Sequence, residues 1–206
     1  MIKWLGHLHT ITKHRNQVIR NGWHCGIFLH CLRHDLSKYG PTEFLKSAHY
    51  YAGDHSPVYE QRKAEHCFSS VCQHHTRRNK HHWEYWTDYF KGVVICKTMP
   101  YKYATEYVCD MLAASKTYDP KHFSGQVALN YFLARCDHYF ITRATKEYVK
   151  WCLQRFVQFG WKGLKKKDTK AKYDEIVSRF DDVEAYDCMP IDDNMPDFVA
   201  NLYHHR

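Results

Sequence analysis

Residues 10–40 read TITKHRNQVIRNGWHCGIFLHCLRHDLSKYG, and the rest of the chain is organised around them. The stretch holds an isolated His14 and, twenty positions on, the doublet His34-Asp35 followed by Leu36-Ser37-Lys38. An imidazole suits Zn, Fe or Ni, and a carboxylate suits harder ions such as Mn or Mg, so the doublet is a ready pair of metal ligands. Adjacent side chains on a helix point about 100° apart and can share an ion lying beside the helix. Gly40-Pro41 marks the end of that helix. Leu29, Leu32 and Leu36 are expected to give an apolar face that sets the doublet at a buried margin, where a charge needs a partner or a metal.

Working outward, helical spacing dominates. Leu8, Ile11, Val18 and Ile19 predict a helix over 5–22, with His14 inside it. A second is expected over 23–37, and a third over 41–52 opened by Pro41. Ser56-Pro57 is a cap followed by a first-turn proline, predicting a helix over 57–76. The run HHTRRNKHHWEYW (74–86) has no clear period. Residues 87–98, with Val93-Val94-Ile95, read as a loop or short extended connection. Further helices are expected over 100–118, 125–140, 143–160 and 169–180, with a basic connector from Trp161 to Lys167 and an acidic peripheral tail over 181–206. The expected class is all-α. The expected division is a metal-binding helical domain over 1–165 and an appendage over 166–206.

Over 206 residues, 44% hydrophobic and 16% aromatic content supports a packed core and excludes a wholly disordered chain. A net charge of +8 favours an anionic partner: a nucleotide, a phosphoester or a nucleic acid. Nine cysteines without a CxxC spacing give no sign of a thiolate zinc site. The odd count without a signal peptide leads us to expect reduced thiols and a cytoplasmic location. No apolar run approaches the roughly 18 residues of a membrane span.

The candidate ligands on apolar-flanked segments are His14, His34, Asp35, the pairs His74-His75 and His81-His82, and Asp110. Asp110 stands among Val108, Leu112 and Ala113, where a carboxylate needs a reason. The registers His74/His81 and His75/His82 are both open, since each pair is seven apart. One ion needs about four protein ligands, and two bridged ions about six.

The order H…HD…H…H…D resembles the HD-domain superfamily, a helical fold of metal-dependent phosphohydrolases. The matching residues are His14, His34-Asp35 and Asp110, and Leu36-Ser37-Lys38 resembles the family's continuation after its doublet. His74-His75 with Asn79 is similar to the HH run of the branch that cleaves cyclic dinucleotides, whose Gly-Tyr-Pro signature is absent. More closely, HDLSKYGPTEF, YYAGDHSPVYE, HHTRRNKHHWEYW and MPYKYATEYVCDMLAASKTYD resemble motifs of an uncharacterised bacterial family of this type, over roughly residues 10–120.

The resemblance implies an HD-like helical bundle binding one or two divalent transition ions (Fe, Mn, Ni, Co or Zn) through His14, His34, Asp35, His75, His82 and Asp110, with Asp35 as bridge. It implies hydrolysis of a nucleotide or other small phosphoester. Lys38 and Arg77 or Arg78, with Asn79, would meet the substrate, and His74 or His81 would pass a proton to the leaving oxygen. Glu106 would orient a ligand from behind. Two other readings stand beside it: a diiron oxygenase of the same superfamily, and a non-catalytic, metal-stapled module binding nucleic acid through the aromatic and basic residues of 76–86.

Overall fold

The computed structural model describes residues 3–91 and 93–186. In chain order the α-helices are α1 (Lys3–His24), α2 (Phe28–Cys31), α3 (Pro41–His49), α4 (Pro57–Ala64) and α5 (Ser70–Thr76), then α6 (Tyr101–Tyr118), α7 (Gly125–Leu133), α8 (Arg143–Phe159) and α9 (Lys166–Val177). Three short strands, β1 (Thr87–Phe90), β2 (Val93–Lys97) and β3 (Val183–Tyr186), complete the described part.

The buried positions of α1 include His7, Ile11, His14, Val18 and Asn21. That is the alternating three- and four-residue spacing of a single helix face. Two of these are imidazoles and one is an amide, so a stripe that would ordinarily be aliphatic carries polar atoms inward. The stripe packs on α6, which in turn meets α8. Val108, Leu112 and Ala113 of α6 are buried, with Tyr148, Val149 and Leu153 of α8 opposite. Each such aliphatic side chain contributes roughly 1.5–3 kcal/mol on burial. At the far end of the pair, Asn21 Nδ2 donates to the Cys109 carbonyl at 2.8 Å. A Cβ at Gly22 would collide with the Cys31 side chain, so only glycine lets α2 approach there.

The continuous helix expected over 23–37 does not form. Gly26 takes φ +68°, α2 lasts four residues, and Asp35 takes φ +52° before a single 3₁₀ turn over Leu36–Tyr39. Nor do Leu29, Leu32 and Leu36 bury the doublet: they are 77%, 38% and 52% exposed, whereas His34 and Asp35 are 1% and 2% exposed. The doublet is buried by α1, α5 and α6, through residues distant in sequence. The helix expected over 57–76 is interrupted between α4 and α5, where His66 and Cys67 both have positive φ. Its predicted cap does form, Ser56 Oγ accepting from the Val58 amide. The helix expected over 125–140 is shorter as well: α7 ends at Leu133, ahead of a 3₁₀ turn over Cys136–His138.

The chain is mainly helical rather than all-α. β1, β2 and β3 form one antiparallel sheet in that order, with Thr87 opposite Cys96 and Val94 opposite Tyr186. Part of the expected acidic tail is therefore a strand, fixed further by Arg143 on Glu184 and by the Thr98 amide donating to the Asp182 carbonyl. The remainder, 187–206, lies outside the described residues. Across the expected boundary at 165/166 the core is continuous. Thr169 and Ile176 of α9 are fully buried, Tyr101 and Thr169 share a 2.8 Å hydrogen bond, and Tyr173 donates to the Met99 carbonyl. Lys166 and Lys167, expected in a connector, open α9. No described helix is long and apolar enough to cross a membrane.

Candidate metal centre

Five segments converge on one buried cluster. α1 supplies His14, the turn after α2 supplies His34 and Asp35, α5 supplies His75, the loop after it supplies His81 and His82, and α6 supplies Asp110. The left-handed backbone at Asp35 lets neighbouring side chains meet: its Oδ2 lies 3.3 Å from His34 Nε2. For a residue with a Cβ this conformation costs of order 1 kcal/mol, and Asp and Asn tolerate it best.

The donor atoms fall into two main sets, His14 with His34 and Asp110, and Asp35 with His75, His81 and His82, which meet where Asp35 Oδ2 lies 3.3 Å from His34 Nε2; His34 and His81 also form a third group with Glu106. In the first, His14 Nε2 is 2.9 Å from Asp110 Oδ1 and 3.4 Å from His34 Nε2, and His34 Nε2 is 3.6 Å from Asp110 Oδ1. In the second, the other Asp35 oxygen, Oδ1, lies 3.3 Å from His75 Nε2 and 3.4 Å from His81 Nε2, with His82 alongside. Two donors each about 2.1 Å from one ion stand about 3.0 Å apart at a right angle and about 3.4 Å apart at a tetrahedral angle. The observed separations are of that size. Several of these atoms have no hydrogen-bond partner: Nε2 of His75, His81 and His82 and Asp35 Oδ1 are buried with none, while Asp35 Oδ2 is taken by the ion pair with Lys38. Buried polar atoms ordinarily find one. Lys38 Nζ, 2.6 Å from Asp35 Oδ2, is an ion-pair contact rather than an aligned hydrogen bond.

The charges are strongly coupled. Burial opposes a charge on His34, but Asp35, Glu106 and Asp110 outweigh it and raise its pKa to about 10. Burial and the neighbouring His34 push His81 down to about 3, and burial lowers His14 and His82 as well. Asp35 and Asp110 stay ionised despite burial, held by His34, Lys38 and His75 in one case and by His14, His34 and His81 in the other.

Behind the donors stand two carboxylates. Glu106, expected as an orienting residue, takes His34 Nδ1 on Oε1 at 2.9 Å and His30 Nε2 on Oε2 at 2.8 Å. Glu43, which the sequence reading passed over, is 1% exposed and takes His75 Nδ1 at 2.9 Å and His74 Nδ1 at 2.7 Å. In sequence it is an ordinary acidic residue in the first turn of α3, a common partner of the helix dipole, and no spacing links it to a histidine over thirty positions away. His30 carried no signal either.

Other expected roles shift. His74 faces Glu43 and Arg78 rather than the cluster, so its placement does not fit proton transfer there. Arg78 Nε donates to His74 Nε2 at 2.7 Å, and Asn79 Nδ2 donates to Ser37 Oγ and the His75 carbonyl, so both brace the cluster from outside. Arg77 is exposed at the end of α5. Of the first histidine pair only His75 points inward; of the second, both do.

A family model matches residues 3–179, described as a family of unknown function, DUF5662. The chain belongs to DUF5662. No curated protein and no solved structure matches it. The matched residues contain every donor of both sets and both supporting glutamates, so the centre belongs to the part of the chain that defines DUF5662.

Proposed function

We propose that this DUF5662 protein is a metal-dependent phosphohydrolase of the HD-domain type, acting on a nucleotide or another small phosphoester. The single observation that supports it is the double donor set: imidazole nitrogens and carboxylate oxygens at ligand-to-ligand spacing, several imidazole nitrogens with no other partner, and Asp35 placed between the sets, Oδ1 toward His75 and Oδ2 toward His34. His14, His34, Asp35 and Asp110 would hold one divalent ion, and Asp35, His75, His81 and His82 a second. Mixed nitrogen and carboxylate donors suit Fe, Mn, Ni, Co or Zn. Such ions polarise a phosphoryl oxygen and lower the pKa of water toward neutrality.

The chain's own residues supply the rest. Lys38, with its side chain 31% exposed beside Asp35, offsets phosphate charge at the edge of the cluster. Asp110 and Asp35 remain anionic at neutral pH and so compensate the ions. His81, neutral at pH 7, keeps a lone pair available. The net charge of +8 draws an anionic substrate toward the surface.

The test is turnover by purified protein loaded separately with Mn, Fe, Co, Ni and Zn against a panel of nucleotides and phosphodiesters. Hydrolysis that chelator abolishes and metal restores is the expected result. Silence with every ion would overturn the reading, and metal-dependent oxygen uptake would transfer it to the oxygenase class.

A further inference from the structure

We infer that Glu43 is the positioning residue of the second cation position, the one at His75, and that it acts by holding His75 Nδ1–H. The inference rests on the metal-centre reading above and goes beyond it by making the two positions separable.

The proton order follows from donors that cannot change role. An arginine guanidinium only donates. Arg78 Nε donates to His74 Nε2 at 2.7 Å, so that nitrogen is an acceptor and the ring's hydrogen sits on Nδ1. His74 Nδ1 therefore donates to Glu43 Oε1, at 2.7 Å. The other oxygen, Oε2, lies 2.9 Å from His75 Nδ1. Asn79 Nδ2 is also 3.0 Å from that nitrogen, but its two hydrogens go to Ser37 Oγ and the His75 carbonyl, each at 2.9 Å. A carboxylate oxygen only accepts, so His75 Nδ1–H is given to Glu43, with Ser37 Oγ further off at 3.4 Å, and Nε2, the atom facing Asp35, is left as the nitrogen aimed at the cation position. A neutral imidazole binds a metal through the nitrogen its second partner leaves unprotonated.

Glu106 does the same at the first position, taking His34 Nδ1. Its oxygens end on His34 and His30, with His81 Nδ1 further off at 3.5 Å, and they do not reach His75. Glu43's oxygens meet His74, His75 and the Ser37 hydroxyl, and no hydrogen bond joins them to His14 or His34. The two carboxylates therefore control different nitrogens, and removing one should loosen one ion.

The experiment is a titration of the full chain with Co(II) alone, followed by visible absorption and checked by elemental analysis after dialysis. Wild type should take up two equivalents in two steps. Glu43→Ala should weaken one step about 10- to 100-fold and leave the other in place. His75→Ala should remove that same step. Glu43→Gln, whose Oε1 still accepts one N–H, should fall between wild type and Glu43→Ala, which marks orientation rather than bulk as the role. Glu106→Gln should weaken chiefly the other step. Circular dichroism checks that each variant folds, and if Glu43→Ala does not, the Gln variant decides. Both steps weakening together in a folded Glu43 variant, or neither changing, would overturn the inference and leave the metal reading intact. One equivalent in wild type would also overturn it. No Co(II) bound by wild type would overturn both.

Discussion

Two of the buried polar networks among the described residues differ in how they end. Where α6, α8 and α9 meet, hydroxyls close on one another: Thr98 with Thr142 at 3.0 Å, Thr142 with Thr145 at 3.0 Å, Thr105 with Tyr148 at 2.7 Å and Tyr101 with Thr169 at 2.8 Å. In the histidine cluster between α1, α5 and α6, inward-facing imidazole nitrogens stop without hydrogen-bond partners. The first network is complete as folded and joins helices. The second has the same depth but is open at its centre, and an open buried site costs stability that a ligand from outside would restore. On the proposed reading, the contrast separates polar atoms that build the fold from polar atoms kept for a ligand.

The largest effect expected from that contrast is on Asp35, which stands between the two donor sets. Asp35→Asn should lower kcat/KM at least about a thousandfold, which is about 4 kcal/mol of barrier; steady-state kinetics on the best substrate of the panel measure it. Next is ligand-linked stability. Metal at a hundred times its Kd should stabilise wild type by about 2.7 kcal/mol and Asp35→Asn far less, read as a shift in Tm. A shift of equal size in both would erase the distinction between the networks.

The pH dependence is smaller per pH unit and has a fixed sign. Metal-free His34 holds a second proton up to about pH 10, and an ion must displace it. Apparent affinity at that position should therefore rise at least about tenfold per pH unit between about pH 6 and 9, and fall in acid. In the metal-free protein the raised pKa works the other way: its stabilisation is full below the ordinary histidine pKa and is lost as pH climbs through about 10. Isothermal titration across pH and urea melts of the metal-free protein read the two trends. Smallest is Tyr148→Phe in the closed network, expected to cost about 1 kcal/mol in urea unfolding and to leave Co(II) binding unchanged. Lost Co(II) binding there would show that the two networks are not independent.

The same contrast governs what the sequence disclosed. His14 and Asp110 could be picked out because each interrupts an apolar helical pattern, and the His34-Asp35 doublet because an imidazole and a carboxylate stand side by side; the structure brings them together. The inward register of the later histidines was hidden because the chain leaves the helix after Thr76. His81 and His82 both reach inward from a loop, which helical spacing cannot express. Glu43 and His30 were hidden because their partners lie far along the chain. The strand at 183–186 was masked by acidic neighbours that gave it the composition of a tail, whereas Val93-Val94-Ile95 did mark its partner as extended.

The left-handed turn at position 35 narrows the choice of amino acid before any chemistry is considered. Glycine, asparagine and aspartate are the side chains that sit there at little strain. Of the three, only aspartate presents two anionic oxygens able to face opposite ways. On the proposed reading, backbone shape and coordination chemistry select the same residue independently, so a chain that keeps this turn would lose its bridge by exchanging one oxygen for an amide nitrogen without losing its fold.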